Sequence, residues 1–373
     1  MKKHFLLPFF AMLWTSLSLA QTPQNTNQQN LVDYVATETP EQYNQRMQWF
    51  KDAKYGMFIH FGLFSVHGGE WKGKLAKGYS EWMPQEFNVD INEYAKTINL
   101  FNPTKLDTDQ IAKLAKDSGM KYLVITAKHH EGFCLWDSKL TEFDVASTPY
   151  GKDIIKQFEL SAKKYGLKFG IYYSVLDWSR PEFKVPSQTE KYAIKYLGWF
   201  RPRVSEKDEI SYMNYMKGQL TELIENYDPD LLWFDGSWQP QWYSLQDGKD
   251  LYNFLRNQKP SLIMNDRVSY YHTLKDDGFN LDYTTPEQHV PRNGHKGYWE
   301  TCMTTNDSWG YKKNDETSKY KSAEELYETL NKVNALGGNF LLNLGPKGDG
   351  SLPEKTVEAF QGVKKLIDQN VSN

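Results

Sequence analysis

Residues 230–238 read DLLWFDGSW, an apolar run that ends in one carboxylate and then a glycine. Such a run reads as a buried strand, and it delivers Asp235 at its carboxyl end. The pattern recurs along the chain. Apolar runs at 57–62, 121–127, 168–174, 230–235, 261–265, 281–285, 298–302 and 339–344 alternate with segments of helical periodicity. Asp107 can cap a helix carrying Ile111, Leu114 and Ala115, stopped by Gly119, and Asp153 one carrying Ile154, Ile155, Phe158 and Ala162, stopped by Gly166. A third helix runs through Ile210, Met213, Leu220 and Ile224. Ser322 and Glu325 form a capping box before Leu326, Leu330 and Val333, Gly337-Gly338 ends that helix, and Pro353 opens the last one. Strands alternating with helices predict a parallel sheet. Eight of them over roughly 300 residues, with no Gly-rich phosphate loop after any strand, predict a TIM-like (β/α)8 barrel rather than a doubly wound sheet. Residues 180–207 hold three prolines and no clear period, so a long loop on the active-site rim is expected there.

The 373 residues, 39% hydrophobic, can bury a large core, which excludes a disordered or collagen-like chain. A net charge of -3, with basic residues spread among the acids, leaves no electrostatic footprint for nucleic acid. A neutral substrate is favoured. Twelve Trp and 24 Tyr include more aromatic faces than a core needs, and such faces bind the apolar side of sugar rings. Residues 1–20 carry Lys2-Lys3, an apolar run from Phe5 to Trp14, and then Ser18-Leu19-Ala20, the three-part pattern of a cleavable signal peptide. A secreted or periplasmic protein is expected, with residues 21–31 as a flexible leader and 32–373 as one folded domain. No later stretch approaches the ~20 apolar residues of a membrane span. No cysteine lies near the cleavage site, so no membrane anchor is expected. Cys134 and Cys302 are too few for a disulfide scaffold and read as buried free thiols.

Polar side chains collect at the carboxyl ends of the predicted strands, where a barrel enzyme places its chemistry. They are His60, His129-His130, Tyr172-Tyr173, Asp235, Asp266-Arg267, and Glu287 with His289. Asp235 lies between Trp233, Phe234 and Trp238 with Gly236 leaving room, a desolvated acid beside stacking surfaces that suits work on a sugar. A competing reading makes Asp235 only the cap of the next helix. A second makes His60, His129, His130 and His289 zinc ligands, but adjacent residues of a strand face opposite sides and no HxH or HExxH occurs, so no metal is expected. Retaining glycoside hydrolysis needs two carboxylates ~5–5.5 Å apart. Glu287, Glu300 and Glu81 are candidates for the second, with Asp177 still open.

The strings KYGMFIHFG with GEW, SEWM, AKHHEGFCLWDS, GIYYSVLDW, LLWFDGSW, MNDR and GNFLLNLGPKGDG, in this order over about 40–370, resemble the alpha-L-fucosidases of glycoside hydrolase family 29. The resemblance implies a retaining, exo-acting barrel enzyme that needs no cofactor and acts on fucosylated glycans. It puts the nucleophile on Asp235 and the fucose-binding set on His60, Glu81, Trp82, His129, His130, Tyr172, Trp233 and Arg267. An aromatic near the sugar methyl falls on Trp309. The acid/base transfers less directly: TPEQH makes Glu287 the first choice and YWE makes Glu300 the second. Many members carry a C-terminal β-sandwich; here the chain stops at residue 373, so a single catalytic domain is expected. The alternatives are an alpha-L-galactosidase of the same family and a catalytically silent fucose-binding barrel.

Overall fold

The computed structural model of the chain describes residues 31–180, 206–237, 243–269, 282–314 and 317–371. The expected signal peptide, nearly all of the expected leader, most of the expected rim loop and Trp238 lie outside the described residues. Nine strands occur among them: β1 (Tyr55–Ile59), β2 (Glu70–Trp71), β3 (Lys74–Leu75), β4 (Tyr122–Lys128), β5 (Lys168–Ser174), β6 (Leu231–Asp235), β7 (Ile263–Met264), β8 (Glu300–Met303) and β9 (Asn339–Leu344). β2 and β3 form a small antiparallel hairpin. The other seven form one parallel sheet in the order β7-β6-β5-β4-β1-β9-β8. Residues 282–288 fill the place between β7 and β8. Tyr283 bridges Asn265 on one side, while Thr284 bridges Trp299 and Glu287 bridges Cys302 on the other. The ring closes as a (β/α)8 barrel.

Two staves depart from the expected strands for identifiable reasons. The run at 281–285 makes bridges without a continuous ladder, and Pro286 at its end has no N–H to donate. The run at 261–265 shortens to two residues, because the Asn265 side chain takes over both backbone groups of Phe234: its Oδ1 accepts from Phe234 N at 2.7 Å and its Nδ2 donates to Phe234 O at 2.9 Å.

Helices Thr108–Asp117, Ile154–Lys164, Glu206–Tyr227, Ala323–Ala335 and Glu354–Val371 stand where periodicity and caps predict them, with Asp107, Asp153 and the Ser322/Glu325 box capping as expected. Two further long helices among the described residues were not anticipated, Pro40–Ala53 and Leu245–Gln258, although each carries a legible capping box, Thr39/Gln42 and Ser244/Asp247.

Alternation along the strands makes two cores. Met57, Ile59, Leu123, Ile125, Ile171, Leu232, Phe234, Phe340 and Leu342 point outward under the helices. Phe58, Val124, Tyr172, Leu231, Trp233, Ile263, Cys302 and Leu341 fill the barrel. Met47, Phe50 and Ala53 of helix Pro40–Ala53 join this inner core. The helix plugs the amino-terminal end of the barrel: Phe50 O accepts from Asn339 Nδ2 at 2.7 Å and Lys54 O from Phe340 N at 2.9 Å, both at the start of β9. Burying Phe50 here stabilises the fold by about 1.5–3 kcal/mol. A buried charge network fixes the plug. Arg46 grips Asp282 through two bonds of 2.7 and 2.8 Å and also pairs with Glu38. Among the described residues this helix covers the amino-terminal end, and the predicted site residues stand at the other, at the carboxyl ends of the strands.

Candidate active site

Asp235 is the last residue of β6, and parallel pairing sets it beside Ser174, with Trp233 beside Tyr172 two residues below. The chain must then turn at once. Gly236 has φ +84°, and a Cβ there would lie 2.8 Å from Leu176 N, so only glycine lets the turn pack. The helix-cap reading of Asp235 fails among the described residues, where the next helix starts at Leu245 and is capped by Ser244.

Three groups face the Asp235 carboxylate. Oδ1 accepts from Arg267 Nη1 at 2.8 Å, Oδ2 accepts from the Tyr172 hydroxyl at 3.1 Å, and His130 Nε2 lies 3.6 Å from Oδ2. Burial pushes the carboxyl pKa up, but Arg267 and His130 outweigh it and hold Asp235 below its ordinary value. It is therefore ionised at neutral pH.

Arg267 sits in the turn Asp266–Val268 after β7 and is itself over-determined. Nε donates to Thr285 Oγ1 at 3.0 Å, Nη2 donates to Thr285 O at 3.2 Å, and the guanidinium lies 4.7 Å above the Trp233 ring. Nη2 also donates to Glu287 Oε2 at 3.0 Å. One guanidinium thus bridges Asp235 and Glu287. Glu287 is the more open of the two, with its side chain 35% exposed against 13% for Asp235.

Glu300 stands elsewhere. As the first residue of β8 it is buried inside the barrel, its Oε2 accepting from Tyr122 OH and its Oε1 from Trp233 Nε1 at 2.9 Å. Burial pushes its pKa to about 7. Its two oxygens are engaged beneath Trp233 rather than turned to the pocket.

The predicted sugar-binding residues line the other walls. His60 follows β1, and its tautomer can be read from its partners. Asn343 Nδ2 donates to Trp309 O at 2.7 Å, so Asn343 Oδ1 accepts from His60 Nδ1–H at 2.7 Å. Burial lowers the His60 pKa to about 3, which leaves a neutral ring whose Nε2 carries a lone pair. His129 stacks on Tyr172 at 5.3 Å and 4°, and Tyr172 in turn stacks on Trp233 at 5.5 Å. Glu81 Oε2 accepts from Gly310 N at 2.9 Å, and burial pushes its pKa up to about 7. Trp309 packs against His60 and Phe58, and Trp82 meets His130 edge-on at 5.0 Å. Among the described residues, Glu81 Oε1 and His129 Nδ1 are buried without a hydrogen-bond partner. Buried groups of this kind are normally satisfied, and here a bound hydroxyl would satisfy them.

The expectation that adjacent histidines face opposite sides is corrected. A register shift between Thr126 and Lys128 turns Ala127 and Lys128 both outward, and β4 ends there, so strand alternation does not govern His129 and His130, which both meet the pocket beyond the strand end. No group of three His, Cys, Asp or Glu with metal-holding placement occurs among the described residues. His289 is exposed, its ring bonded to Glu287 O. Asp177 is paired with Lys128 on the outer side of the strand. Trp178, Asn343 and Thr285 were missed. Only Asn343 left a signal, a polar residue at an inward position of an apolar strand.

Comparison with known proteins identifies the family. The family profile described as Alpha-L-fucosidase matches residues 19–371. The chain is 31% identical over 339 residues to an alpha-L-fucosidase of Dictyostelium discoideum, covering 86% of this chain and 70% of that protein. It is 32% identical to the human plasma alpha-L-fucosidase, covering 86% and 68%. Among solved structures, a covalent intermediate of a Bacteroides thetaiotaomicron alpha-L-fucosidase, trapped with 2-fluoro-fucosyl fluoride, aligns with TM-score 0.76 at 31% identity, covering 87% and 74%. A Lactobacillus casei alpha-L-fucosidase holding alpha-L-fucose aligns with TM-score 0.75 at 30% identity, covering 88% of this chain and 100% of that one. The chain belongs to the alpha-L-fucosidase family, glycoside hydrolase family 29.

Proposed function

We propose that this protein removes terminal alpha-L-fucosyl groups from glycans by double displacement, with Asp235 as nucleophile and Glu287 as acid/base. The observation that carries the reading is the Arg267 bridge, which sets the two carboxylates one guanidinium apart and keeps Asp235 ionised for attack. In the first step Asp235 Oδ attacks the anomeric carbon while Glu287 protonates the departing oxygen. In the second, Glu287 takes a proton from water, which displaces Asp235 and restores the alpha configuration. Neutral His60 accepts from a ring hydroxyl through Nε2, and Glu81 through Oε1. Trp309, 6% exposed, offers an apolar wall that suits a methyl better than the hydroxymethyl of L-galactose. The signal-like residues 1–20 support export to the periplasm or beyond, which sequencing the mature amino terminus after Ala20 would check.

Replacing Asp235 by Ala tests the mechanism. The variant should fold, bind fucose and turn over at least about a thousandfold more slowly, and proton NMR of the native reaction should show alpha-fucose first. Near-native turnover of the variant would remove Asp235 from the reaction.

A further inference from the structure

Lys128 is a lysine with no exposed side-chain surface, on the outer face of the barrel and away from the sugar-binding walls. Its ammonium donates to Asp177 Oδ2 at 3.0 Å and lies 4.3 Å above the Tyr173 ring, with Tyr215 and Tyr212 at 5.5 and 5.8 Å. A buried pair of this kind rarely adds net stability over an apolar pair of the same volume, so its presence invites another explanation. Its neighbours supply one. Lys128 is the last residue of β4 and the second of two consecutive outward residues at the register shift, and His129 and His130 follow it directly, beyond the strand end, into the pocket.

Asp177 ties the same point to the next loop. Its Oδ1 accepts from Ser179 N at 3.0 Å and Ser179 Oγ at 2.6 Å. Trp178, between them, donates its backbone N–H to His130 O at 2.8 Å and lays its ring 5.5 Å from the His130 ring. Gly132, at φ +86°, closes against the pair, and a Cβ there would fall 2.3 Å from Asp177 Oδ1.

We propose that Lys128 and Asp177 are a positioning pair: by fixing the loop that carries Trp178, whose backbone and ring both meet His130, they hold His130 against Asp235, and so set the rate of glycosyl transfer without touching the sugar. This rests on Asp235 being the nucleophile. His60 is held by Asn343, His129 by its stack on Tyr172 and Glu81 by Gly310 N, so fucose affinity should fall far less than the rate.

The test is the double variant Lys128→Met/Asp177→Leu, which removes both charges together and leaves none buried alone. It should melt near the native temperature. Its kcat on an aryl fucoside, and the rate at which 2-fluoro-fucosyl fluoride labels Asp235, should fall about a hundredfold with KM near native, the cost of a small misplacement at the reacting centre. Asp177→Asn, which keeps volume and the Ser179 contacts, should lose rate in the same sense if the double variant does not fold. Native kcat and labelling rate in whichever variant is folded would overturn the pairing role, as would an equal loss in KM alone. Full activity of Asp235→Ala would instead overturn the nucleophile assignment beneath it.

Discussion

Replacing Arg267 by Met removes the guanidinium that joins the two carboxylates and covers the Trp233 ring, while keeping an unbranched apolar stem. In the native site Asp235 Oδ1 receives the 2.8 Å bond from Arg267, and Tyr172 and His130 remain as its other neighbours. Breaking a buried charge pair by removing one partner costs about 3–5 kcal/mol. The Asp235 side chain is 13% exposed, and Tyr172 still donates to it, which favours the lower end of that range. A loss of about 3 kcal/mol borne by the transition state slows kcat/KM by about a hundredfold. The pH dependence carries a sharper signature. The native Asp235 pKa is depressed, so its ionic contribution to stability is present above the unfolded carboxylate pKa and is lost as pH falls through the lower folded value. In the variant, burial still raises the pKa and Arg267 no longer lowers it. The acid limb of kcat/KM should therefore move to higher pH, and the stability gained from Asp235 ionisation should shrink at neutral pH. Arg267→Lys keeps the charge and loses the fork, so it should keep the native acid limb and recover only part of the rate. Profiles of kcat/KM against pH for the three proteins decide it. An acid limb in Arg267→Met that superimposes on the native one would show that the guanidinium does not set the ionisation of Asp235.

Glu287→Ala should slow a natural disaccharide far more than an aryl fucoside with an acidic phenol, with azide restoring rate; azide rescue in Glu300→Ala and none in Glu287→Ala would exchange the two roles. Glu300→Ala removes the acceptor that Trp233 Nε1 and Tyr122 OH share in the barrel, so it should lower stability by about 1–3 kcal/mol in urea unfolding. Arg46→Met strands Asp282 beneath the barrel and should destabilise by about 3–5 kcal/mol, with kcat per folded molecule unchanged, as thermal melts and active-site titration would report. Dialysis against EDTA should leave activity intact, because the Nδ1 atoms of His60 and His130 are engaged by Asn343 and Ser174; a loss restored by zinc would contradict this.

The barrel was legible because its signals are local. Apolar runs, Asp and Ser caps and stopping glycines each act within a few residues, and they placed five helices and most staves correctly. What escaped depends on contacts distant in sequence. The early end of the ladder beyond β7 follows from Asn265 bonding to Phe234, 31 residues away. Helix Pro40–Ala53 carried a capping box, but its role as a plug comes from Asn339 and Asp282 across the fold.

The same division runs through the site. Residues at strand ends declare themselves by position, which is how His60, Asp235 and Arg267 could be singled out, while the facing of a side chain depends on register. The pair His129-His130 shows the difference. Simple alternation sends one of them outward, but β4 ends at Lys128, whose own outward place is held by a carboxylate 49 residues on, and beyond the strand end both histidines meet the pocket. The two candidate acids separate in the same way. Glu287 and Glu300 both lie beside the barrel's last staves in sequence. One ends an irregular stave at the mouth, where Arg267 can reach it, and the other opens β8 at the sealed end, where Tyr122 and Trp233 hold it. Depth along the stave, rather than residue type or neighbouring sequence, separates the two carboxyls, and on that separation rests the proposal that Glu287 meets the departing sugar oxygen.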